Sequence, residues 1–267
     1  MKVILTVGHS RSIPGEVLAE MLHREGVEVS CILVASLFSL RRIRTQLRQK
    51  TFSSLIRKIC SSFSYIPDQN NSNESDPVVA LARNHSIGIV GLRRWCRERR
   101  VKLIPVNNLN CKQSIDQLKF INPDLVVYCG GGILRENFIS ASRFVLNAHA
   151  GPLPEIRGMN AAEWSFLLNE RPEVSIHLID QGIDTGPLVK AFPYDPNQVS
   201  SVNQLRSLCV ARGIEGLLEV ITTGIYKNNL CCSDVSPRQN PQCFLLAPIL
   251  EAVLQKKLQS SKLRVSD

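Results

Sequence analysis

Apolar residues along this chain gather in short dense runs, and helix-length amphipathic stretches lie between them. Lys2 to Val7, Val27 to Ala35, Val101 to Val106 and Pro123 to Tyr128 are such runs. Their Val- and Ile-rich makeup predicts strands buried on both faces, as in a parallel sheet. Pro14 sits where the first turn of a helix running to about Glu25 would start, and Lys112 to Phe120 reads as a second helix. Arg143 to Leu146 is a short apolar strand, and Val174 to Ile179 alternates as a strand should. Further helices are expected at Met159 to Asn169, from about Arg135, at Val202 to Thr222 and at Leu245 to about Leu258, with a strand from Pro187 to Pro193. Strand and helix in repeated succession predict an α/β fold: a doubly wound, mostly parallel, Rossmann-like sheet.

One region departs from that rhythm. Ser36 to about Ser64 reads as helical and basic, Asp68 to Asp76 as a polar loop, and Val78 to Arg100 as two helical pieces divided near His85 to Gly88. The expected organisation is a catalytic domain over residues 1–224, carrying this helical insertion at about 36–100, followed by a C-terminal extension over 225–267. A lid, a substrate-selecting lobe and an oligomer contact are all open for the insertion, and a homodimer is open for the chain.

Composition narrows the setting. Of the 267 residues 44% are apolar, yet no run reaches eighteen, so no membrane partner is expected. Met1 to Gly8 reads as a strand rather than a leader. The nine cysteines are scattered without a Cys-x-x-Cys pair, which suits reduced thiols in a cytoplasmic protein and no metal site. The net charge of +9 is concentrated in two segments, Arg41 to Lys58 and Arg93 to Lys102. That balance favours an anionic partner. With no aromatic interleaving and no binding motif, nucleic acid is not expected to be that partner. The turn after the first strand is Gly8-His9-Ser10, not a Gly-x-Gly-x-x-Gly fingerprint, so dinucleotide binding is poorly supported.

The chemistry concentrates between Asn147 and Gly186. On a strand, residues i and i+2 share a face, so Asn147 and His149 should project side by side. The second strand should deliver Asp184 to the loop beyond its end. Asn147 offers an N–H to a developing oxyanion, His149 can donate to the same oxygen or move a proton, and Asp184 can fix the imidazole and relay protons. No nucleophilic Ser or Cys is needed if the substrate's own amine attacks an activated carbonyl. Arg157 can position an anionic substrate or pin its turn through carbonyls. His177, inside the strand, is expected to be structural, and Trp164 core or pocket wall.

Asn147-x-His149, then Leu153-Pro154-Glu155-Ile156-Arg157-Gly158, then Asp180-x-x-Ile183-Asp184-x-Gly186 together resemble the folate-dependent formyltransferases. This family spans glycinamide ribonucleotide, methionyl-tRNA and sugar-nucleotide N-formyltransferases. The likeness covers residues 100–222 well and 1–35 loosely, with Ala150-Gly151 standing where relatives often carry Pro-Ser. It implies a formyl donor, 10-formyltetrahydrofolate, whose pterin meets Gly132, Ile133 and Leu134 on one side and Asp180, Gly182 and Ile183 on the other. It also implies that Gly8, His9 and Ser10 lie near the amine substrate. Asn147 and His149 would then stabilise the oxyanion, and Asp184 with a water would move the proton. Of the acceptors, an amino-sugar nucleotide or other small phosphorylated amine is expected by elimination. The residues after Gly224 are too few for a tRNA-binding barrel, and glycinamide ribonucleotide enzymes lack the basic insertion. The alternatives are methionyl-tRNA or glycinamide ribonucleotide as the acceptor, hydrolysis by a formyltetrahydrofolate deformylase, and a non-catalytic binding module.

Overall fold

The computed structural model describes residues 1–35, 76–227 and 242–263. The basic helix expected over 36–64, most of the polar stretch at 68–76, and Cys60, Cys231 and Cys232 lie outside them. In chain order the elements are β1 (Lys2–Val7), α1 (Ile13–Arg24), β2 (Glu28–Ala35), α2 (Pro77–Asn84), α3 (Leu92–Glu98) and β3 (Lys102–Val106). Then come α4 (Lys112–Ile121), β4 (Leu125–Cys129), α5 (Glu136–Ile139), β5 (Val145–His149), β6 (Arg157–Gly158) and α6 (Ala161–Leu168). β7 (Glu173–Leu178), β8 (Leu188–Pro193), α7 (Val202–Thr223), β9 (Gln242–Cys243) and α8 (Pro248–Leu263) complete the described chain. Seven of the strands make a mostly parallel sheet with flanking helices, the α/β class expected.

The described chain falls into two compact units: residues 1–35 with Ile89–Arg143 form the first, and residues 76–88 with those from Phe144 onward form the second. In the first unit the strands run β3-β2-β1-β4, all parallel. The apolar runs are buried as their composition demands: Val3, Ile4, Leu5, Val7, Leu125, Val126 and Val127 are fully enclosed. Helix α1 opens on Ser12, whose Oγ accepts the N–H of Gly15 at 3.1 Å, and Pro14 occupies the first turn, where no N–H is missed.

In the second unit β5, β7 and β8 pair antiparallel in that order. Helix α7 covers one face of them. An added Cβ on Gly213 would lie 2.9 Å from the Cβ of Ala148, and one on Gly216 would meet Phe192 and Ile176. These glycines thus let the helix backbone approach the strands. Leu205, Ile214, Leu217, Val220 and Ile221 bury their side chains along it, each such burial contributing about 1.5–3 kcal/mol. Ala148 and Ile176 point at the helix, so their strand neighbours must point away from it.

Several boundaries differ from the sequence reading. β5 starts at Val145 and runs through His149, so Asn147 and His149 sit within the strand rather than past it. The helix expected from about Arg135 is a single turn, Glu136–Ile139. The last helix starts at Pro248, which has no N–H to continue one begun earlier. The tail is tied into the second unit. β9 pairs with β6, Trp164 Nε1 donates to the carbonyl of Phe244 at 2.8 Å, and Arg206 reaches Glu251 at 3.1 Å.

Candidate active site

The register of β5 on β7 lays out the site. Asn147 stands opposite His177 and His149 opposite Ser175. Opposed residues of an antiparallel pair share a face, so these four side chains form a grid on the face turned from α7. Each member is then fixed by a particular partner.

Ser175, fully buried, donates to the carbonyl of Gly151 at 2.8 Å and accepts the N–H of Leu153 at 3.0 Å. It therefore holds the turn that follows His149. That turn returns the carbonyl of Ile156 to 2.8 Å from His149 Nε2. A carbonyl only accepts, so this ring nitrogen carries a hydrogen. The other nitrogen, Nδ1, lies 3.4 Å from Asp184 Oδ2. It can donate to that carboxylate only when the ring holds a second proton. Both nitrogens thus face acceptors. The sequence reading had His149 donate to the substrate oxygen or move a proton; here Nε2 serves the Ile156 carbonyl and Nδ1 faces Asp184.

His177 Nδ1 is 2.9 Å from the carbonyl of Leu178 and must donate to it. The neutral ring therefore turns a lone pair at Nε2 towards Asn147 Nδ2, which donates across 3.1 Å. Burial first, and the charge His149 would carry second, lower the His177 pKa to about 4, although Asp184 pulls the other way. Read from the strand pattern as structural, His177 instead orients the amide of Asn147. Its register opposite Asn147 was the available signal, but register belongs to the pairing and not to either segment alone.

Asp184 adopts a left-handed backbone, φ 53°, a conformation Asp tolerates better than most residues. Its Oδ2 accepts the N–H of Gly158 at 2.9 Å and faces His149, while Oδ1 lies 3.7 Å from His177 Nε2, beyond hydrogen-bond reach. Among the described residues Oδ1 has no hydrogen-bond donor, and the side chain is 17% exposed. The loop before it is built from within. Asp180 Oδ1 accepts from Gly182 N at 3.0 Å and Thr185 Oγ1 at 2.6 Å, and Gly186 has no room for a side chain against the Leu178 carbonyl. Arg157 is buried, and its Nη1 donates to the Ile183 carbonyl at 3.4 Å. Of its two readings this contact fits the pin, which holds the peptide next to Asp184.

The other nominated residues belong to the first unit. Gly130, Gly131 and Gly132 all have positive φ. A side chain on Gly131 would strike Leu109, whereas nothing lies within 4 Å of the Cβ direction of Gly132. Tight packing thus accounts for Gly131, and an open backbone distinguishes Gly132. Ile133 is 72% exposed, a free apolar wall, while Leu134 is buried. Asn110 clamps this loop, donating to the Ile133 carbonyl at 2.9 Å and accepting Arg135 N–H at 2.7 Å. An exposed glycine backbone beside an exposed apolar side chain suits one face of a planar heteroaromatic ring. Gly8, His9 and Ser10 are partly exposed. His9 Nδ1 accepts the N–H of Arg11, and burial followed by the Arg11 charge lowers its pKa.

An amide donor, two differently held imidazoles and a half-satisfied carboxylate on an α/β scaffold set an oxyanion donor near a proton acceptor. Residues 29–207 match the family model described as Formyl transferase, and the chain belongs to that family. The methionyl-tRNA formyltransferase of Clostridium perfringens is 26% identical over 179 residues, 65% of this chain and 56% of its own length. That of Finegoldia magna is 31% identical over 157 residues, 57% and 46% respectively. The chain spans about half the length of the curated relatives it matches. Among solved structures, phosphoribosylglycinamide formyltransferase from Anaplasma phagocytophilum aligns at TM-score 0.55 and 16% identity, over 88% of this chain and 91% of that one. A 4-N formyltransferase from Francisella tularensis aligns at 0.54 and 14%, over 96% and 87%. At such identities the likeness is one of fold.

Proposed function

We propose that this chain transfers a formyl group from 10-formyltetrahydrofolate to a primary amine. The observation that carries this is the strand-pair grid: Asn147, with an amide hydrogen to spare, beside Asp184, with a carboxylate oxygen to spare. The family resemblance nominates Gly132 and Ile133 in one unit and the Asp180 to Ile183 loop in the other for the donor, which supplies the electrophilic formyl carbon. Asn147 Nδ2 donates to the oxygen on which negative charge develops, held in aim by His177. Asp184 Oδ1 accepts the proton shed by the attacking amine and returns it, directly or through water, to the departing nitrogen. His149, its Nε2 fixed by the Ile156 carbonyl, stands with Nδ1 3.4 Å from Oδ2 and limits where that carboxylate can turn.

The acceptor we favour is a small phosphorylated amine, such as an amino-sugar nucleotide, on the strength of the chain's positive balance. A second reading, methionyl-tRNA, is favoured by the sequence relatives, which are methionyl-tRNA formyltransferases. Incubation with 10-formyltetrahydrofolate and each acceptor in turn separates them: the true acceptor accelerates tetrahydrofolate release. Release indifferent to every amine would make the protein a hydrolase, and no release at all would leave a binding module.

A further inference from the structure

Two glutamates one turn apart on α1 clamp α3 and the segment before it. Glu16 Oε1 accepts the N–H of Val90 at 2.7 Å and of Gly91 at 2.9 Å. Glu20 accepts Trp95 Nε1 at 2.8 Å and Arg99 Nη2 at 3.0 Å, and pairs with Arg24 at 2.8 Å. Leu92, Trp95 and Cys96 bury the inner side of α3. The backbone that carries Arg93 and Arg97 is thus rigidly placed.

This clamping uses up the nearby negative charge. Both glutamates are buried and fully engaged, and Glu98 is bound to Arg94 at 2.7 Å. Arg11, Arg93 and Arg97 are exposed, and among the described residues their side chains make no hydrogen bond or ion pair. All three line one cleft of about 370 Å³, together with Ser10, Ile13, Ile89 and Val90. Arg93 and Arg97, four apart on a helix, project from the same face. Arg94 and Glu16 also line the cleft, Arg94 already paired with Glu98 and Glu16 already bound to the N–H groups of Val90 and Gly91. The lining therefore keeps an excess of positive charge, which a multiply charged anion can engage through paired N–H donors.

We infer that the arginine-lined cleft between α1 and α3 binds the phosphoryl or pyrophosphoryl group of a small molecule. The size is near the low end for small-ligand pockets, about 300–1,000 Å³. Ile13, Ile89 and Val90 provide an apolar wall for the rest of such a ligand. Among the described residues no aromatic side chain on which a base could stack lines the cleft, which favours a small molecule over single-stranded nucleic acid. The inference does not rest on formyl transfer, because binding is read without any formyl donor.

The test is calorimetric titration of the full chain with inorganic pyrophosphate. Wild type should bind at one saturable site. Arg93→Ala/Arg97→Ala should weaken binding about tenfold per guanidinium removed, as loss of charge-assisted hydrogen bonds does. Arg93→Lys, which keeps the charge and loses the fork, should fall between. Arg212→Ala, which does not line the cleft, should change affinity less than about twofold, as expected for a charge screened by salt. Should the double variant unfold, Val90→Asp, which puts a negative charge into the wall, must produce the same loss. Unchanged affinity in these variants would overturn the inference. So would an equal loss in Arg212→Ala, or arginine-dependent binding of a single-stranded RNA oligonucleotide without binding of pyrophosphate.

Discussion

Glu16 and Glu20 of α1 and Asp184 beside β7 are all carboxylates packed among fixed donors, yet their oxygens are used differently. Each oxygen of Glu16 and Glu20 accepts at least one hydrogen bond, and the residues are 1% and 6% exposed. Burial pushes both carboxyl pKa values up. For Glu16 burial prevails, while for Glu20 the hydrogen bonds from Trp95, Arg24 and Arg99 together outweigh it and hold the group below the usual carboxylate range. Asp184 has one oxygen engaged by Gly158 and His149 and the other without a donor among the described residues. A carboxylate whose lone pairs are all answered holds structure together, whereas one with an oxygen to spare at a partly open position can move a proton.

The largest effect expected from that contrast falls on Asp184. Asp184→Asn keeps the shape and tolerates the left-handed backbone, so the fold should survive. Turnover should drop about 100- to 10,000-fold, the range for a lost acid–base group, which steady-state assays with circular dichroism would check. Near-normal rates would erase the distinction between the two kinds of carboxylate. Asn147→Ala should come next, lowering kcat about 100- to 1,000-fold with KM for the amine little moved, as expected for a lost oxyanion donor. Glu20→Gln should do the reverse. By loosening the hold on Trp95 and Arg99 it should cost about 1–3 kcal/mol in denaturant unfolding and leave turnover nearly intact. A large kinetic loss there would mean the scaffold carboxylates are not merely scaffold.

The smallest effect is one of pH. His177 has a folded pKa depressed to about 4 from the ordinary imidazole value of 6.5, so the unfolded ring takes up a proton that the folded ring refuses. Its contribution to stability is therefore complete above the unfolded value and is lost as pH falls from that value towards about 4. Unfolding midpoints at neutral and mildly acid pH should diverge in the wild type and draw together in His177→Gln. Equal divergence in both proteins would remove His177 as the cause.

Much of this was written in the chain. Dense Val and Ile runs marked β1, β2 and β4 because a strand covered on both faces has no polar side to show. Asn147, His149 and Asp184 could be chosen because their spacings coincide with a family pattern. What stayed illegible depends on tertiary pairing. Neither segment alone shows that His177 faces Asn147, since register arises only when β5 meets β7. Nor does the sequence show that His149 turns its Nε2 to the Ile156 carbonyl, because Ser175 sets the path of that turn from the neighbouring strand. Arg157 looked equally suited to a substrate or a carbonyl, and its contact with the Ile183 carbonyl fits the latter. Likewise Arg93 and Arg97 could be any solvated helix face until Glu16, Glu20 and Glu98 are seen to be engaged elsewhere.

The central claim is that the Asn147–Asp184 cluster passes a formyl group to an amine. Its most direct test follows the carbon itself, with 10-formyltetrahydrofolate labelled by carbon-13 at the formyl group, the acceptor panel, and wild type beside Asp184→Asn. The label should appear by NMR as a formamide on one acceptor in the wild type and scarcely at all in the variant. Label recovered only as formate, or formamide forming equally fast in both proteins, would contradict it.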